Sequence, residues 1–222
     1  MKKLIILIAA ILLTFSAAYA DNVSNTDHNL VDTANPYDTS STDEVCVFCH
    51  TPHGGTTDAP LWNRNYTPGA FTMYDSPTLD MAIAGTPESV SAACLSCHDG
   101  TTAFDSLINE PGAGSDTIGT WTWAGGNNKM DGTISPVAYL GTDLSNDHPI
   151  SIAYNVGSGA GQDPDFNAIV NNYVGSLPLY PGSQSANQVE CGSCHNPHED
   201  ILVNFLRISN AASAMCVSCH IK

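Results

Sequence analysis

Apolar positions along this chain rarely keep a helical or strand period for more than two turns. The clearest helix is predicted where Thr86-Pro87-Glu88 introduces Ser89 to His98, with Pro in the first turn and Gly100 just past the end. A second helix is expected over Ser209 to His220. Thr120-Trp121-Thr122-Trp123 and the alternating stretch from Ile150 to Tyr154 read as short strands. Between these, Gly, Pro, Ser, Thr, Asn and Asp dominate. Residues 99–190 contain Gly112-Ala113-Gly114, Gly125-Gly126-Asn127-Asn128 and Gly157-Ser158-Gly159-Ala160-Gly161. The expected fold class is mostly irregular coil with a few short helices and minimal strand. Side chains alone do not fill such an interior, and a composition of this kind on its own suits a disordered chain.

The start of the chain has a different pattern. Lys2 and Lys3 precede an apolar run from Leu4 to Ser16, and Ala18-Tyr19-Ala20 supplies small residues at a cleavage site. Residues 1–20 are therefore expected to be a secretory signal peptide and residues 21–222 one domain. The apolar run falls short of the roughly 20 residues a membrane-spanning helix requires.

Charge narrows the partners. The chain has 22 acids against six bases and a formal net charge of −16. Beyond residue 20 the bases are Arg64, Lys129, Arg207 and Lys222. No basic face for phosphate can be assembled from these, so nucleic acid is excluded as a partner.

The cysteines change the picture. All eight fall in Cys-x-x-Cys-His units: Cys46-Val47-Phe48-Cys49-His50, Cys94-Leu95-Ser96-Cys97-His98, Cys191-Gly192-Ser193-Cys194-His195 and Cys216-Val217-Ser218-Cys219-His220. This is the attachment signature of c-type haem: two thiols form thioethers with the porphyrin vinyls, and the following His ligates the iron. Zinc sites and redox dithiols also use Cys-x-x-Cys, but neither requires His after every second Cys, and structural disulfides leave those histidines unexplained. The expected cofactors are four covalently bound c-type haems. Cys46, Cys49, Cys94, Cys97, Cys191, Cys194, Cys216 and Cys219 attach them, and His50, His98, His195 and His220 are the proximal iron ligands. The motif spacings of 48, 97 and 25 residues show no regular repeat.

Four histidines remain, His28, His53, His148 and His198, matching the four distal positions of four haems. Met73, Met81, Met130 and Met215 are rival distal ligands, though Met more often fills gaps in packing. Two axial imidazoles on each iron leave no open position for a substrate, which argues for an electron carrier and against an enzyme. His53 and His198 recur in matching segments, His50-Thr51-Pro52-His53 and His195-Asn196-Pro197-His198. Three residues from a proximal ligand, neither can clasp the same iron from the opposite face. A reciprocal arrangement is expected, with His50 and His198 on the first haem and His195 and His53 on the third. His148, in Asp147-His148-Pro149, is expected on the second or fourth haem. His28 sits in a polar segment, and either its own chain or a neighbouring copy can supply its haem.

The four motifs, two extended by Thr-Pro-His or Asn-Pro-His, together with Asp147-His148-Pro149, resemble the multihaem cytochromes of bacteria that respire extracellular metals. Length, leader and histidine count are similar to those of the extracellular tetrahaem cytochromes that polymerise into conductive filaments, or nanowires. The resemblance implies a chain wrapped around stacked haems that passes electrons to external acceptors such as metal oxides. It implies a homopolymer as partner, with His28 as candidate ligand to a haem of the adjacent subunit, alongside redox partner cytochromes. The implied location is the cell exterior, reached through the periplasm. A monomeric periplasmic shuttle is the alternative, and a multihaem reductase with an open haem position is a third reading.

Overall fold

A computed structural model describes residues 22–112 and 121–221. The proposed leader lies outside these residues, as does Thr120. The chain is mostly coil. The described residues hold three α-helices, α1 (Ser89–His98), α2 (Cys191–Cys194) and α3 (Ala214–Cys219), with short 3₁₀ turns at Val23–Asn25, Val45–Phe48, Ala124–Gly126, Val203–Phe205 and Ala211–Ser213. Four two-residue strands, β1 (Ile152–Ala153), β2 (Tyr173–Val174), β3 (Leu177–Pro178) and β4 (Gln188–Val189), form two antiparallel pairs, β1 with β4 and β2 with β3. Among the described residues no helix is long and apolar enough to cross a membrane.

Helix α1 occupies the predicted span, but it starts differently. Pro87 lies outside it and Glu88, in extended conformation, holds the cap position. The Glu88 carboxylate leaves the helix end to accept from the Ser183 backbone at 2.8 Å, while Ser151 Oγ accepts the Glu88 N–H at 2.9 Å. Asp99 and Gly100 close the other end through bonds to Leu95 and Cys97 carbonyls. Gly100 has φ +71°, and a Cβ there would meet the Tyr139 ring and, at 2.9 Å, the Met130 carbonyl. A side chain at position 100 is therefore opposed by both conformation and space.

The second predicted helix is broken. Ala212 and Ser213 have φ of 52° and 61°, so the stretch divides into a 3₁₀ turn and the six-residue α3. The strand expected over Ile150 to Tyr154 shortens to β1. Of the Trp-containing stretch, Trp123 alone makes a bridge, antiparallel to Thr39.

Two small apolar clusters replace a single core. Tyr37, Val47, Phe48, Phe104 and Trp123 form the first, with Cys49, Cys97 and Met130 packed against it. Tyr154, Val174 and Leu179 form the second, with Cys219 beside it. Between them runs a buried polar seam. Ser151 Oγ donates to Glu190 at 3.0 Å, Gln188 Nε2 donates to the same carboxyl at 3.2 Å, and Ser91 Oγ accepts the Cys191 N–H at 2.9 Å. This seam ties α1 to α2. Gly192 makes the close approach possible, because a Cβ there would lie 2.8 Å from Tyr180 Oη and 3.0 Å from Val90.

Candidate haem-binding site

Each motif is presented as one tight turn or short helix, with the backbone N–H of His50, His195 and His220 returning to the carbonyl of its first cysteine at 2.8, 3.0 and 2.9 Å. The motifs are neighbours in chain order. Cys49 lies near Cys97, the Cys94 and Cys191 thiols share a hydrogen bond, and Cys194 lies near Cys219 and Cys216. The first attachment point therefore adjoins the second, the second the third, and the third the fourth.

Most of the shifted thiols are held above their ordinary value, while the hydrogen bond with Cys94 draws Cys191 below it. Burial pushes Cys49 up to about 12 and Cys194 up to about 11, and the hydrogen bond with Cys191, followed by burial, raises Cys94. A reactive dithiol needs a depressed pKa. No disulfide joins any of the eight cysteines.

The imidazoles are set for ligation. Nδ1 lies 2.8 Å from the Pro60 carbonyl in His50, 2.7 Å from that of Ala138 in His98, and 2.7 Å from that of Asn204 in His195. His28 and His148 meet the Pro197 and Pro149 carbonyls at 2.9 and 3.0 Å. A carbonyl can only accept, so Nδ1 carries the proton in all five rings and the Nε2 lone pair is left for a metal. Carbonyl partners of this kind fix the tautomer and orientation of ligating histidines.

Two ring pairs test whether haem iron fits. The centroids of His50 and His198 are 6.1 Å apart with planes at 22°, and those of His28 and His98 are 6.1 Å apart with planes at 84°. Metal–imidazole bonds of about 2 Å, added to the offset from nitrogen to ring centre, place two axial imidazoles about this far apart across one iron. Among the described residues no group of three or more His, Cys, Asp or Glu is gathered around a bare ion. Apolar side chains beside the motifs stand exposed, Leu61, Ile201, Val203 and Val217 among them, as a porphyrin face would require. The residues present fit haem.

Of the histidines in the expected reciprocal arrangement, the structure brings together His50 and His198. No ring contact joins His53 or His148 to another histidine among the described residues, and both are exposed. His220 packs edge-on against Phe166 at 5.0 Å. His28, expected to be the freest, is enclosed: its ring lies 4.4 Å from Phe205 as well as facing His98. Burial first, and then the neighbouring His98, lower its pKa to about 4, so it is neutral and available as a ligand at neutral pH. Of the four methionines, Met130 packs on the first cluster and Met81 is buried.

Sequence reading missed the carbonyl anchors and three buried donors around the first motif. Trp62 Nε1, Trp121 Nε1 and Arg64 Nε have no acceptor. Trp62 stands edge-on to His50 at 5.9 Å, and Trp121 lies 5.8 Å from Phe48. The one available signal was that Arg64 is one of only two arginines in an acidic chain.

Residues 184–222 match the family described as doubled CXXCH motif (Paired_CXXCH_1), which covers the third and fourth motifs. No curated protein matches the chain. The matched pair and the motifs indicate covalently bound c-type haem and, as a class, electron transfer by a multihaem cytochrome.

Proposed function

We propose that this chain is a tetrahaem conductor that moves electrons outside the cell and joins copies of itself end to end into a filament. Bound haem supplies reversible one-electron iron chemistry. The observation that carries the reading is the pair of imidazole couples, His50 with His198 and His28 with His98, each set 6.1 Å apart. With haem bound, His50 with His198 and His28 with His98 would each supply two imidazoles to one iron, and that would leave no place for a substrate. That supports a carrier over a reductase. Motifs adjoining in chain order support a single continuous path through the molecule.

His195 and His220 are the remaining proximal ligands, and His53 and His148 stand exposed. In this reading the latter two serve the third and fourth haems. Because His28 faces His98 within its own chain, the joint between copies passes to His53 or His148. An acidic chain with apolar side chains exposed beside its motifs suits contact with further cytochromes and external acceptors.

The test is to purify the secreted protein, count its haems by pyridine haemochrome and intact mass, and record its paramagnetic resonance. Four low-spin haems are expected, with filaments under the electron microscope that vanish in His148→Ala or His53→Ala but survive His28→Ala. A high-spin haem would sink the conductor reading. Dispersed particles with full haem content would sink the filament.

A further inference from the structure

The two arginines share a placement that the haem-binding reading does not explain. Each is docked on backbone carbonyls of an attachment motif. Arg207 Nε donates to the Gly192 carbonyl in the third motif at 2.7 Å. Arg64 Nη2 donates to Ser96 in the second motif at 3.3 Å and to Ala103 at 2.6 Å, and Nη1 donates to Phe104. Arg64 is 1 % exposed, its Nε has no acceptor, and among the described residues it makes no ion pair. It is also close enough to Cys49 of the first motif to act on that thiol.

A buried guanidinium is charged at any working pH and costly to desolvate, so an unpaired one needs a reason. The obvious counter-charge is spent elsewhere. Asp99, buried at the end of α1, accepts from Tyr66 Oη at 2.9 Å and from Thr101 N and Oγ1 at 2.8 and 2.9 Å. Nor do the propionates of the porphyrin meet Arg64 readily, because they leave from the edge opposite the vinyl carbons that Cys49 and Cys97 attach. Arg64 stands at the thioether edges of the first two sites.

We propose that Arg64 sets reduction potential: its fixed positive charge makes the first haem, and to a lesser degree the second, easier to reduce than the fourth. When a one-electron donor reduces ferric iron to ferrous, no bond forms or breaks and no proton moves. The site simply loses one unit of positive charge, and a nearby cation is then better tolerated. Asp99 offsets part of this at the second site. The fourth motif has no arginine, and none of the residues of α3 is buried. At an effective dielectric of about 20 and a separation of about 12 Å, Coulomb's law gives a roughly tenfold bias per electron.

The inference rests on the tetrahaem reading, and the test separates the two. Haem count and low-spin spectra report on the reading, and potentials report on Arg64. Spectroelectrochemistry and NMR redox titration would be run on the wild-type protein, Arg64→Met and Arg64→Lys. The first haem is assigned through its contacts to Trp62 and the fourth through Phe166. In Arg64→Met the first haem's equilibrium should move about tenfold toward ferric, near 59 mV for one electron, with the fourth unchanged. Arg64→Lys should move it less than about threefold, because it keeps the charge and loses only the fork of hydrogen bonds. Equal shifts in the two variants, or none in Arg64→Met, would overturn the proposal. Should neither variant load four haems, the wild-type order decides. The first haem reducing ahead of the fourth upholds it, and the reverse order refutes it.

Discussion

The first and fourth attachment motifs share a sequence pattern and have opposite surroundings. In the first, Val47 and Phe48 are buried in an aromatic cluster with Tyr37, Phe104 and Trp123, and Asn63 Nδ2 donates to the Val47 carbonyl at 2.7 Å. In the fourth, Cys216 and Val217 are exposed, and the second cluster reaches the motif at Cys219 and, through Phe166, at His220. The same five-residue chemistry is thus embedded in protein at one end of the series and laid on its surface at the other. The two intervening residues explain part of this. Phe48 is large enough to anchor a cluster, whereas Val217-Ser218 is not. Covalent attachment therefore fixes where a haem is tied but not how much protein insulates it. An exposed terminal motif is what contact with another molecule requires.

Removing the tethers gives the largest separation of the two ends. Cys94→Ala with Cys97→Ala takes away the motif between the first and third and should collapse haem loading well beyond one site. Cys216→Ala with Cys219→Ala should remove a single haem and leave the others, as intact mass would report. If both variants lose one haem alone, the second and fourth sites are energetically alike. Next in size, Phe104→Ala should cost about 3–5 kcal/mol in thermal or denaturant unfolding, because it empties the centre of the first cluster.

The seam between the halves gives a pH-dependent effect. Glu190 is raised to about 7 by burial, with Glu88 adding to it against hydrogen bonds from Ser91 and Ser151. An unfolded Glu ionises near 4.5, so the folded chain holds its proton longer. The native state gives up stability as pH rises from about 4.5 to about 7 and stays at the lower level above that. Glu190→Gln should leave the melting temperature unchanged near pH 4 and raise it above pH 7. A gain confined to low pH would contradict the assignment. The smallest effect belongs to the exposed motif: Val217→Ala should change stability by less than about 0.5 kcal/mol, and a larger loss would mean that position 217 is covered.

Much of this was legible in the residues. The coil-rich fold, helix α1 and the motif turns follow from Gly and Pro placement and from spacings of a few positions, and those signals act locally. Helix α3 was overrun because nothing in Ala211-Ala212-Ser213 announces left-handed backbone. For the candidate site, His50, His98, His195 and His220 stand out in the sequence because each is adjacent to its own cysteine. Distal partners were readable only as a set of four. Which imidazole faces which depends on long loops closing, and in the described structure the Pro197 carbonyl and the Phe205 ring draw His28 inward to His98.

The sequence by itself determined the chemistry: eight thiols and eight imidazoles in proportions that suit haem, and too little apolar periodicity to pack without it. Tertiary structure alone decided the neighbours. It set the motifs beside one another in chain order, brought His50 to face His198, and buried Arg64 without a carboxylate partner among the described residues. The physical reason is range. Thioether attachment and proximal ligation are fixed within five residues, whereas axial pairing and the electrostatic surroundings of a site are sums over segments that meet only when the chain has folded.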